Sequence, residues 1–186
     1  ESQAALGQPG EAITTCRAGL ARYPEDGALW YTLGCCLAEV QELVEAAGAL
    51  EQAVKDNATA ERLSTYGHVL LRIGRYADAA SALRNAAELR EPTAADLIGL
   101  GRSLYMTGEA VEAISPLEHG HALDPRSSVG CIALGRAYLT VGRKADALVM
   151  LRKAEQLGEK GQALLLEIAE LQEQLGLHDE ALMTYG

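Results

Sequence analysis

Three residues with the chemistry of a carboxylate receptor recur at one spacing. His68, Arg102 and Arg136 each directly follow a glycine, Gly67, Gly101 or Gly135, and stand 34 residues apart. Arg72 lies one helical turn beyond His68. A guanidinium binds a carboxylate through two parallel hydrogen bonds and keeps its charge at any working pH. The 186-residue chain has 16 Lys and Arg against 26 Asp and Glu, a formal net charge of −10. A recurring cation in so acidic a protein departs from its surroundings. Two readings stay open: a track for an acidic or carboxylate-bearing partner segment, or arginines that pair with Asp or Glu on neighbouring helices.

Other chemistry finds few parts. The phosphate-loop pattern Gly-x-x-x-x-Gly-Lys-Ser/Thr and the metalloprotease pattern His-Glu-x-x-His are both missing. His119 and His121 are two residues apart, which on a helix points them to different faces, and His178 reads as a surface residue. Cys16, Cys35, Cys36 and Cys131 match neither zinc-ligand spacing nor C-x-x-C. They are expected to be buried free thiols, which favours a reducing compartment such as the cytoplasm. The expectation is a chain that is not an enzyme and takes no metal or cofactor. Its acidity argues against nucleic-acid partners. No apolar run reaches the roughly 18–20 residues of a membrane span.

The elements that must position these residues are short helices in a repeat. An acidic residue followed by alanine occurs at Glu11-Ala12, Glu45-Ala46, Asp78-Ala79, Glu112-Ala113, Asp146-Ala147 and Glu180-Ala181. The alanines are 34, 33, 34, 34 and 34 residues apart. Two further ladders keep phase with them: Gly7, Gln41, Gly74, Gly108, Gly142, Gly176, and Gly34, Gly67, Gly101, Gly135, Ala169. Within one unit, Leu97, Leu100, Gly101 and Leu104 share a face of a first helix, and Ala113, Leu117 and Gly120 a face of a second. Asp124-Pro125 stops that second helix. Mid-helix glycine costs about 1 kcal/mol against alanine, so Gly34, Gly67, Gly101 and Gly135 predict close helix–helix approach. Gly74, Gly108, Gly142 and Gly176 predict the tight turn inside each pair. Leu50, Leu83, Leu117 and Leu151 are the facing knobs, with Cys16 and Tyr185 in their place at the two ends. Aromatic content is 4%, with no Phe and one Trp, which suits a core built from Ala, Gly and Leu.

The pattern Trp30-x2-Leu33-Gly34, then Ala46 and Ala53, resembles the tetratricopeptide repeat, as do Leu134-Gly135, Tyr138, Gly142, Ala147 and Ala154. Departures are Gln41 at the turn glycine, one residue missing near Asn57-Ala58, and Glu159 where a closing proline would stand. The resemblance implies an all-α, right-handed solenoid of antiparallel helix pairs. The expected divisions are a partial repeat over 1–26, complete repeats over 27–59, 60–93, 94–127 and 128–161, and a truncated repeat over 162–186. Without polar capping elements at either end, the chain reads as a fragment of a longer protein, or as an array whose ends a partner copy covers.

In this family the first helices line a concave peptide-binding groove. The expected function is therefore a protein-interaction scaffold or adaptor that captures a peptide or helix there. The polar anchors are His68, Arg72, Arg102 and Arg136, and the apolar contacts Tyr31, Ile98, Tyr105 and Ile132, with Leu71, Val129 and Leu139 on the same wall. Glu167, Glu170 and Glu173 repeat every third residue as one acidic face. The Lys and Asn side chains of the family's chaperone-binding clamp are not reproduced: the inner places hold Cys35, Ser64, His68 and Arg102. Alternatives are a self-associating structural module and the substrate-recruiting arm of a larger enzyme.

Overall fold

The computed structural model describes residues 9–185; Gly7 of the turn ladder and the side chain of Tyr185 lie outside the described residues. The described residues form eleven α-helices and no strand. They fall into two compact units, Glu1–Pro92 and Thr93–Gly186. The first unit holds α1 (Pro9–Arg22), α2 (Gly27–Glu39), α3 (Leu43–Asp56), α4 (Ala60–Arg72) and α5 (Tyr76–Leu89). The second holds α6 (Ala94–Met106), α7 (Ala110–Leu123), α8 (Ser128–Thr140), α9 (Lys144–Gln156), α10 (Gln162–Gln174) and α11 (His178–Tyr185).

Each unit is a stack of antiparallel pairs. In the first, α2 packs with α3 and α4 with α5, while α3 also meets α4. In the second, the pairs are α6–α7, α8–α9 and α10–α11, joined by α7 against α8 and α9 against α10. The mid-helix glycines are where pair members meet. A Cβ on Gly34 would lie 2.6 Å from Leu50 Cγ, and one on Gly67 2.7 Å from Leu83 Cγ. In the second unit a Cβ on Gly135 would stand 2.8 Å from Leu151 Cγ, and Gly101 meets Leu117 in the same way. These leucines are the fully buried centre of each pair.

From α2 to α9 the helix starts alternate in kind. The first helices α2, α4, α6 and α8 are held by a side-chain cap that satisfies otherwise unpaired backbone N–H groups, whereas α10 starts at Gly161 with none. Asp26 accepts from the amides of Ala28 and Leu29, Thr59 from Arg62, and Ser127 from Gly130. Thr93 and Asp96 form a reciprocal capping box. The second helices α3, α5, α7 and α9 begin at Glu42, Arg75, Glu109 and Arg143 with no such bond. Before each, the chain turns through positive φ, at Gly74, Gly108 and Gly142, and at Gln41 with φ 66°.

The linker shortened at Asn57-Ala58 is closed by Arg62. Its Nη1 donates to the Ala53 carbonyl at 2.7 Å, to Asp56 Oδ2 at 3.1 Å and to the Asn57 carbonyl at 3.2 Å. Glu159, in place of the expected proline, accepts from Ser128 Oγ at 2.7 Å and ties the α9–α10 join back to the start of α8.

Candidate functional site

In the second unit the predicted anchors sit on the first helices of successive pairs. Arg136 on α8 makes a two-point fork with Glu167 on α10: Nε to Oε2 at 3.1 Å and Nη2 to Oε1 at 2.8 Å. Both side chains stay in touch with solvent, at 40% and 30% exposure. The Glu167 bond holds the Arg136 guanidinium above its ordinary pKa, against the opposing effect of burial, and the nearby Tyr105 hydroxyl pushes the same way. Tyr105 on α6 is thereby placed beside Arg136, half-buried.

Arg102 on α6 occupies the same repeat register one pair earlier. Glu167 lies 31 residues beyond Arg136. The residue 31 beyond Arg102 is Ala133, a buried methyl that can accept nothing. Arg102 is half-buried and, among the described residues, makes no hydrogen bond or ion pair. A guanidinium in that setting has lost part of its water without gaining an acceptor.

The apolar positions divide. Ile132 and Leu139 on α8 are half-buried, and Val129 is exposed. Ile98 is a correction: at 6% exposure it belongs to the packing and has no surface to offer a partner. Gly120 of α7 and Gly130 of α8 make room for it, since a Cβ on either would come within 2.9 Å of the Ile98 side chain.

In the first unit the remaining predicted residues are engaged within the fold. The Tyr31 hydroxyl lies 3.2 Å from both Glu61 Oε1 and Thr65 Oγ1, linking α2 to α4. Burial pushes that hydroxyl up to about 12, and raises the neighbouring Cys35 thiol as well. Arg72 is exposed and donates from Nη2 to Gln41 Oε1 at 2.6 Å. His68 is half-buried on α4 and is not without an interaction of its own.

One cluster escaped the sequence reading. Lys153 Nζ on α9 sits 3.0 Å from His121 Nε2, and His121 Nδ1 sits 3.7 Å from the buried Cys131 Sγ. An ammonium can only donate, so Nε2 accepts and the ring proton lies on Nδ1, facing the sulfur. That polarity gives Cys131 no base, and burial raises its thiol. The arrangement packs α7, α8 and α9 together rather than activating a nucleophile. Among the described residues no three His, Cys, Asp or Glu are grouped to hold a metal ion, and no helix is long and apolar enough to cross a membrane.

A family model described as tetratricopeptide repeat matches residues 1–61, 67–125 and 132–186. No curated protein matches. Among solved structures, MamA is similar with a TM-score of 0.73 and 23% identity, over 85% of this chain and 93% of that one. YrrB, described as a TPR protein with an unusual peptide-binding site, gives 0.74 and 15% over 91% and 88%. PilF of Pseudomonas aeruginosa gives 0.77 and 18% over 97% and 82%. At these identities the likeness is one of fold.

Proposed function

Because the chain belongs to the tetratricopeptide repeat family, whose fold serves protein–protein interaction, we propose that it is a scaffold binding an acidic partner segment along α6 and α8, the first helices of successive pairs in the second unit. The observation that carries this reading is Arg102, half-buried and without an acceptor among the described residues. A partner carboxylate would supply the two-point bond that the fold withholds. Half-buried Tyr105, Ile132 and Leu139 on α6 and α8 offer apolar surface for the neighbouring side chains of the segment. Peptide binding by YrrB, a protein of the same fold, supports the general mode.

The test is fluorescence anisotropy with a labelled, end-blocked octapeptide of alternating Glu and Leu. Saturable binding that Arg102→Glu weakens by about tenfold or more supports the reading, since reversing the charge removes a bond and adds repulsion. Binding indifferent to Arg102→Glu overturns it. A second reading, self-association, rests on Leu182 and Met183 of α11, which are 70% and 84% exposed. Sedimentation velocity across a concentration series decides that one, and a monomer throughout rejects it.

A further inference from the structure

The fork between Arg136 and Glu167 has the geometry that a partner's Asp or Glu would use, but the carboxylate comes from the protein itself. We propose that Glu167 is an internal competitor: it occupies Arg136 in the place of a partner carboxylate and so confines acidic recognition to Arg102. This inference rests on the acidic-segment reading above and adds a control to it.

Three observations support it. First, the competitor is displaceable. Both members of the pair keep roughly a third of their side-chain surface in water, and an ion pair in that setting contributes little net stability because its charges are already well solvated. Second, the register isolates the effect. Arg102 and Arg136 are equivalent positions on α6 and α8, yet only Arg136 has a carboxylate 31 residues ahead; Arg102 has the methyl of Ala133. Third, Glu167 is distinguished from its neighbours. Glu170 and Glu173 share the acidic run of α10, are exposed, and make no ion pair among the described residues. The fold thus aims one particular carboxylate of α10 at the cationic position and leaves two beside it pointing to water. A partner with a single acidic residue meets Arg102 alone. A partner with two must displace Glu167 to use the second arginine.

The experiment uses the same end-blocked Glu-Leu octapeptide and the full chain. Glu167→Gln should tighten binding about two- to fivefold, the range expected when an exposed ion pair no longer competes. Glu170→Gln removes the same charge from the same helix without freeing an arginine, and should leave affinity near wild type. Adding Arg136→Gln to Glu167→Gln should erase the gain. Glu167→Ala repeats the test should the glutamine amide hold Arg136 in the carboxylate's place. If neither Glu167 variant tightens binding while Arg102→Glu still abolishes it, the competitor is overturned and the acidic-segment reading stands. If Glu170→Gln gives an equal gain, the effect is bulk charge and the competitor is again overturned. If the wild-type chain and its Glu167 variants all fail to bind the peptide, both readings fall together.

Discussion

A methyl group on Gly101 would lie 3.0 Å from the Ala113 carbonyl oxygen and closer still to Leu117, which is completely buried. The glycine is therefore a packing residue: α6 and α7 approach until the leucine rests on bare backbone. Relief would require moving a helix, because the obstructing atoms include backbone and the branch point of a packed leucine.

Gly101→Ala should accordingly destabilise the protein by about 1–3 kcal/mol, the usual cost of overpacking a filled core. Gly48→Ala is the control. Gly48 lies inside α3, exposed, with nothing near its missing Cβ, so the substitution should gain about 0.5–1 kcal/mol from helix propensity alone. Urea unfolding of the two variants checks the opposite signs.

Gln41 adopts φ 66° where Gly74, Gly108 and Gly142 hold the equivalent turns. A side chain in that region crowds the following carbonyl. Gln41→Gly should stabilise by about 0.5–1 kcal/mol, since glycine's greater freedom in the unfolded chain returns part of the gain. The exposed bond from Arg72 is lost in the exchange. A rise in the denaturation midpoint with unchanged slope would bear this out.

The side-chain caps make a graded prediction. Ser127→Ala removes the acceptor for the Gly130 amide and should cost about 1 kcal/mol. Glu109→Ala, at the start of α7 where no side-chain cap bond exists, should change stability by less than about 0.5 kcal/mol. Thermal melts of the pair at one pH are sufficient to separate them.

Burial, and then the charge of Lys153, hold the His121 imidazole below its ordinary pKa, with Asp124 opposing. Between the folded and unfolded values the unfolded chain binds more protons, so stability falls as pH drops through about 6.5 and levels off below the folded value. His121→Gln should flatten this part of the profile. Denaturation midpoints measured from about pH 7.5 down to about pH 5 would show it, and an unaltered slope in the variant would reject the assignment.

The helix pairs were legible because packing imposes a period. Alanine and glycine recur wherever backbones must approach, and that requirement is local enough to read from spacing. The cap series Asp26, Thr59, Thr93 and Ser127 is equally legible, since Asp, Thr and Ser are the residue types that cap a helix start, and it marks the start of four first helices. The site was harder. Arg102 and Arg136 look equivalent in register, and only the residue 31 positions on tells them apart: alanine for one, glutamate for the other. Ile98 shares its register with Tyr31 and Ile132, which are half-buried. Two glycines on neighbouring helices, Gly120 and Gly130, open the space that draws it inward, and no pattern along α6 itself reveals them. The His121–Lys153 bond spans 32 residues and depends on two side-chain conformations meeting across helices.

The alternation of helix starts has a dynamic consequence. Where a side chain holds the first-turn amides, exchange of those hydrogens with water requires the cap to open; where none does, the turn frays without that step. Deuterium should therefore enter the first turns of α3, α5, α7 and α9 ahead of those of α2, α4, α6 and α8. The pairs α2–α3, α4–α5, α6–α7 and α8–α9 would then each loosen from the inner turn that joins their two helices before the capped start of the first helix opens.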